Sequence, residues 1–248
     1  MKLDLTGKRF VVTGGSSGIG AASARLLADS GADVLAVSRR ADPTVFAGLG
    51  SVQVLAADLE EEGSAAAIVS AATAGGATID GIVNAGGHFS HAPILEATAA
   101  ELDGLWRVHV RTPYLLTQQA IPHLTDRSAL VFVSSTVVRA GFAPYAAYTA
   151  VKGAVDAMAR SLAIELAPRT RVNTLMPGFT ATPMMSEQYA TADGLEGAIV
   201  ARTPLGHIGG PEYAANVVGL LLSEDSGYTT ASTVVVDGGW VGQGWQSA

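Results

Sequence analysis

Arg9-Phe10-Val11-Val12 is a short apolar run that ends in Thr13-Gly14-Gly15-Ser16-Ser17-Gly18-Ile19-Gly20, and an Ala- and Leu-rich segment of helical length, Gly18 to Asp29, follows at once. A strand that passes through a glycine-dense turn straight into a helix is half of a βαβ unit, and few folds accommodate one. The glycines have a physical use here. They permit positive φ, and a backbone without Cβ lets a pyrophosphate approach the free N–H groups at the helix start.

The alternation continues. Strands are predicted over Asp33 to Val37, Val52 to Ala56, Ile79 to Val83, Ala129 to Val133, Arg171 to Leu175 and Thr233 to Val236. Helices are predicted over Ser64 to Ala74, Glu101 to His123 and Ala147 to Ala167. Strands apolar on both faces need helices above and below, so the expected fold is α/β, a Rossmann-type doubly wound parallel sheet with helices on both faces. With no repeat and no Pro/Ser-rich linker, residues 1–248 read as one domain. Pro177 to Thr203, dense in Gly and Thr, reads as a long irregular stretch that serves as a lid.

Composition removes several classes of function. The net charge of −7 disfavours binding to nucleic acid, which needs clustered positive charge. Without cysteine there is no disulfide and no thiolate chemistry. His88 and His91 lack a matching carboxylate cluster, so no metal is expected. No apolar run approaches the ~20 residues of a membrane span, and Met1 to Phe10 has no apolar signal core, so the expected location is the cytoplasm.

The spacing Thr13-Gly14-x-x-x-Gly18-Ile19-Gly20 resembles the short-chain dehydrogenase/reductase family, and the resemblance runs through the chain. Asp58-Leu59 follows the third strand, Asn84-Ala85-Gly86 the fourth, and Tyr148-Thr149-Ala150-Val151-Lys152 matches the family's Tyr-x-x-x-Lys pair. Pro177-Gly178 with Thr180 and Thr182, then Val236-Asp237-Gly238-Gly239, complete the order. The resemblance implies a nicotinamide-dependent oxidoreductase acting on a small carbonyl or alcohol, with ketone or 3-oxoacyl reduction as the favoured reaction. It implies cofactor contacts from Gly14, Ser16, Ser17, Gly18, Ile19 and Gly20, with Asp58 and Leu59 at the adenine. Asn84, Ala85 and Gly86 would lie beside the cofactor, with Pro177, Gly178, Thr180 and Thr182 at the carboxamide. Relatives commonly form homotetramers through the two long helices, a homodimer being the alternative. The run of alanines Ala154, Ala157, Ala159 and Ala163 suits close helix packing.

Carbonyl reduction needs a proton at oxygen as hydride reaches carbon. A phenol of pKa near ~10 is a poor donor at neutral pH, and an adjacent cation lowers that value. Tyr148 and Lys152 are four apart and share a helix face. Both are expected to contact cofactor as well. Tyr145, seven before Lys152, lies two turns away and is set aside. In the family the catalytic serine precedes the tyrosine by thirteen, which selects Ser135 over Ser134. The family's fourth catalytic residue, usually an Asn within a helix irregularity, falls at His109. Two readings stay open there: an imidazole that fills the Asn position, or one that relays protons.

NAD-type sites carry an acidic residue about 20 beyond the glycine turn. Here Ser38-Arg39-Arg40 follows the second strand, so NADP(H) is expected over NAD(H), with the arginines meeting the 2′-phosphate. Expected pocket walls are His88 to Ile94, Val137 to Tyr145 and Thr180 to Tyr189, including Phe89, Val138, Phe142, Met184 and Met185. Two further classes remain open: a regulatory dinucleotide-binding protein with weak turnover, and an epimerase or dehydratase on the same fold.

Overall fold

A computed structural model describes residues 3–40, 42–189 and 194–244. Seven strands, β1 (Arg9–Thr13), β2 (Asp33–Ser38), β3 (Val52–Ala56), β4 (Ile79–Asn84), β5 (Leu124–Val133), β6 (Thr170–Pro177) and β7 (Thr233–Val236), form one sheet. Its order is β3-β2-β1-β4-β5-β6-β7, and every neighbouring pair is parallel. The strand order reverses between β1 and β4, which leaves a crevice at their carboxyl ends. Thr13 pairs with Asn84, and Asn84 with Phe132, so three strand ends open at one place.

Among the described residues eight α-helices accompany the sheet: α1 (Gly18–Asp29), α2 (Ser64–Ala72), α3 (Ala99–Trp106), α4 (Thr112–Ala120), α5 (Ala146–Glu165), α6 (Pro183–Tyr189), α7 (Leu195–Arg202) and α8 (Pro211–Leu222). In α1 the buried positions Gly20, Ser23, Ala24, Leu27 and Ala28 fall at i, i+3, i+4, i+7 and i+8. That spacing buries one face. Along β1, Phe10 and Val12 join the apolar cluster that holds Leu27 of α1 and Val218 of α8. Val11 points the other way, into the cluster with Ile68, Leu116 and Val155 of α2, α4 and α5. The sheet is thus covered on both faces, the doubly wound arrangement read from the sequence. None of the helices among the described residues is long and apolar enough to cross a membrane.

Four expectations change. The helix expected over Glu101 to His123 is interrupted by a π-helical turn, Arg107–Arg111, between α3 and α4. The segment Pro177 to Thr203 is largely helical, as α6 and α7, and does not form an irregular lid; residues 190–193 of it lie outside the described residues. Helix α8, absent from the sequence reading, fills the face beside α1. Finally, β5 begins at Leu124, with a register irregularity opposite Ile79 and Gly81 of β4.

Candidate active site

The glycine turn is built around approaches that a side chain would block. A Cβ on Gly14, whose φ is +70°, would sit 2.8 Å from the Ala85 carbonyl oxygen and from Gly86 Cα. The Gly86 N–H donates to Thr13 Oγ1 at 3.1 Å. Turn and β4 loop therefore touch through backbone. Gly20 packs on the Gly14 carbonyl, and Thr182 Cγ2 lies 3.0 Å from where a Gly18 Cβ would be. Ser17 precedes α1 in extended backbone and makes no side-chain cap, and the first turn holds no acidic residue. Those free N–H groups and the bare backbone suit a phosphate. Ser16 is partly exposed beside them, whereas Ile19 turns its side chain to the core.

The other expected cofactor residues lie at or just past the carboxyl ends of β2, β3, β4 and β6. Arg39 and Arg40 are exposed past β2, where the Ser38 hydroxyl donates to the Arg40 carbonyl. Asp58 accepts from the Glu60 N–H at 3.0 Å, and Leu59 is buried against the Gly86 position. Both side-chain amide atoms of Asn84 are buried without a hydrogen-bond partner, so an unmet polar demand lies at the end of β4. At the end of β6, Pro177 is paired with β7, the Gly178 N–H donates to the Val236 carbonyl at 2.9 Å, and the Thr180 hydroxyl donates to the Gly178 carbonyl at 3.1 Å.

Three residues on β5 and α5 are locked together. Lys152 is buried, its Nζ donates to the Val133 carbonyl at 2.8 Å, and Ser134 Oγ donates to the Lys152 carbonyl at 2.9 Å. Ser134 therefore ties strand to helix, which leaves Ser135 facing Tyr148. The Lys152 ammonium lies 5.6 Å from the centroid of the Tyr148 ring. Burial pushes Lys152 down to about 7. The same desolvation holds Tyr148 above its ordinary value, with the Ser135 hydroxyl acting in the opposite sense. This corrects the expectation that the lysine acidifies the phenol in the free protein. Its ammonium is committed to a backbone carbonyl and sits over the ring, and both groups are drawn towards their neutral forms.

His109 lies in the π-helical turn and is 4% exposed. Its Nε2 is 2.8 Å from the His88 carbonyl oxygen, so Nε2 carries the proton and donates it. Its ring meets the edge of Tyr148 at 5.7 Å. Desolvation, then the nearby Lys152 charge, holds the imidazole well below the usual histidine range. A neutral imidazole pinned to a carbonyl favours the space-filling reading over proton relay. Sequence reasoning missed the partner of this arrangement: a Cβ on Gly87 would fall 2.3 Å from His109 Cε1. Tyr145, set aside as the catalytic tyrosine but expected in the pocket wall, packs 5.1 Å from Phe89. The only signal for Gly87 was a second glycine after Gly86.

A parallel sheet with an anion-receptive turn at its switch point, beside a Ser/Tyr/Lys cluster, defines a dinucleotide-binding oxidoreductase fold. A family model described as enoyl-(acyl carrier protein) reductase matches residues 14–241. Over 243 residues the chain is 35% identical to an uncharacterized oxidoreductase of Methylorubrum extorquens, covering 95% of this chain and 98% of that protein. It is 32% identical to L-xylulose reductase of Bos taurus over 247 residues, 97% and 99% of the two chains. A crystal structure from Beutenbergia cavernae, a protein assigned as an NAD(P)-dependent gluconate 5-dehydrogenase and holding NADP at low occupancy, superposes with a TM-score of 0.90. It is 31% identical, over 98% and 100% of the two chains. The chain belongs to the short-chain dehydrogenase/reductase family, and it is an oxidoreductase of the NAD(P)-dependent kind.

Proposed function

We propose that the chain reduces a ketone-type carbonyl with NADPH, Tyr148 giving the proton and Ser135 holding the carbonyl oxygen. The observation that carries the reading is the convergence of Ser135, Tyr148 and Lys152 next to the bare backbone contact between Gly14 and Gly86. When bound, the reduced nicotinamide supplies the hydride. The protein does the rest. The Tyr148 hydroxyl passes its proton to the developing alkoxide, and the Ser135 hydroxyl donates a hydrogen bond to the same oxygen. Lys152, anchored on the Val133 carbonyl, stabilises the phenolate that remains and places a cation beside it. His109 supports the Tyr148 ring from the side.

The nucleotide would be held by Gly14, Ser16, Ser17, Gly18 and Gly20 at the phosphates, with Ile19 fixing the helix start. Asp58 and Leu59 would flank the adenine, and Asn84, Ala85 and Gly86 the crevice floor. Pro177, Gly178, Thr180 and Thr182 would take the nicotinamide end. Ser38 offers no carboxylate to repel a 2′-phosphate, and exposed Arg39 and Arg40 stand beside it. Charge-assisted bonds of about 1.5–3 kcal/mol each favour NADPH over NADH by tenfold or more. Because one sheet carries both halves of the site, residues 1–248 are read as one catalytic domain. Exposed Leu102, Trp106, Tyr114 and Ile164 on α3, α4 and α5 support a homo-oligomer, a tetramer in the first instance.

The test is oxidation of NADPH and of NADH against a panel of ketones and aldehydes, with the alcohol product identified. NADPH-driven alcohol formation is the expected result. Equal KM values for the two cofactors would refute the preference, and no turnover with either would refute the reaction.

A further inference from the structure

The loops that close over Tyr148 carry an unusual set of side chains. Phe89, after β4, meets the Tyr148 ring edge-on at 5.5 Å and tilts against Tyr145 at 5.1 Å. Tyr145 meets Phe142 at 6.1 Å, and Phe142 stacks on Trp240 at 5.0 Å with 18° between the planes. Phe179, after β6, stands edge-on to both, at 6.0 Å from Phe142 and 5.4 Å from Trp240. Rings from three separate strand ends and the C-terminal segment thus form one continuous wall that starts at the proton-donating phenol. Trp240 is buried at its back, while Phe89, Phe142, Tyr145 and Phe179 remain partly exposed.

What these loops omit is equally informative. Residues 85–92, 134–148 and 177–186 contain no Asp, Glu, Asn or Gln; the first carboxylate after Pro177 is Glu187, in the second turn of α6. Arg139, the one Lys or Arg in the three segments, is exposed. A sugar can stack on an aromatic ring, but its many hydroxyls leave water only where a dense set of polar groups, carboxylates and amides above all, replaces the lost hydrogen bonds. This wall offers rings, isolated hydroxyls and the imidazoles of His88 and His91 instead, the latter itself stacked on Phe89 at 5.5 Å. Planar apolar groups gain both from burial and from offset or edge-on ring contacts.

We propose that the substrate is a carbonyl compound carrying an aromatic or comparably planar apolar group, an aryl ketone or aryl aldehyde, seated against Phe89 and Tyr145 with its oxygen at Tyr148. This rests on the reading of Tyr148 as the proton donor. The balance is that of a simple reduction: hydride adds to the carbonyl carbon, a proton from Tyr148 adds to oxygen, and NADPH becomes NADP+.

The experiment compares kcat/KM with NADPH for 1-phenyl-1,2-propanedione and benzaldehyde against a free ketopentose and an acetoacetyl thioester, in the wild type and in Phe89→Leu. The aryl substrates should lead by about 100-fold, the range within which apolar pockets discriminate. Phe89→Leu should lower aryl kcat/KM roughly tenfold and leave the Kd for NADPH unchanged. A ketopentose or thioester reduced as well as the aryl compounds would overturn this proposal and leave the reductase reading standing. So would an aryl preference unaltered in Phe89→Leu. Failure to reduce any carbonyl while NADPH binds would overturn both.

Discussion

Gly87→Ala should cost this protein more than a methyl group normally does. The φ of Gly87 lies outside the left-handed region, so alanine meets no backbone strain there. On an open site the change would even stabilise slightly, by about 0.4–1 kcal/mol through the unfolded chain. Here the new Cβ would lie 2.3 Å from His109 Cε1 and 3.0 Å from Nδ1. The imidazole is held on two sides, by the bond from Nε2 to the His88 carbonyl and by the Tyr148 ring. Overpacking of this kind costs about 1–3 kcal/mol. Forfeiting the bond to His88 adds about 0.5–1.5 kcal/mol. At ~2–4 °C per kcal/mol for a chain of this size, Tm should fall by several degrees, and kcat should fall with it because Tyr148 loses its lateral support. The double variant Gly87→Ala/His109→Asn, with a smaller side chain facing the new methyl, should recover much of both. Thermal denaturation and kcat of the four proteins form a cycle, with a coupling of at least ~1 kcal/mol expected. Additivity of the two substitutions would show that the packing of His109 into the Gly87 hollow carries no energy.

Other outcomes follow from the same geometry. Gly14→Ala should weaken NADPH binding at least tenfold by calorimetry, because its Cβ would meet the Ala85 carbonyl at 2.8 Å from a φ of +70°. Ser38→Asp should raise the Kd for NADPH roughly tenfold with little change for NADH, by placing a carboxylate against the 2′-phosphate. Lys152 has a folded pKa of about 7, below its unfolded value, so the unfolded chain binds more protons between about pH 7 and 10.5. Stability of the free protein should therefore rise with pH across that window, and Lys152→Met should flatten the slope. A wild-type slope no steeper than the variant's would contradict the buried, cofactor-free state of this lysine.

Periodicity made much of the fold readable, because parallel strands buried on both faces announce themselves as short apolar runs. α1 matched its predicted limits since its buried positions repeat at helical spacing and glycine turns bracket it. The glycine turn and the Tyr148/Lys152 pair were legible for the same reason: the chemistry needs those residues within one turn or one helix. The π-helical turn left no mark in residue type, as Arg107 to Arg111 has ordinary helix-compatible residues; only the family resemblance, which puts a helix irregularity at position 109, pointed to it. α8 was overlooked although Pro211 opens it and Ala214, Ala215, Val218 and Leu222 trace an apolar stripe. The acidity of Tyr148 was misjudged because spacing gives proximity but not desolvation. Gly87 was invisible without its partner, for only the fold brings it against His109.

The proposed reaction turns on the Tyr148 hydroxyl delivering the proton. Tyr148→Phe removes that oxygen and keeps the ring that packs on Phe89 and His109. In a single turnover with NADPH already bound, the variant should oxidise the cofactor about 10²–10⁴-fold more slowly, the span attributed to a positioned general acid, with the Kd for NADPH nearly unchanged. A variant that turns over within a fewfold of the wild type would contradict the account.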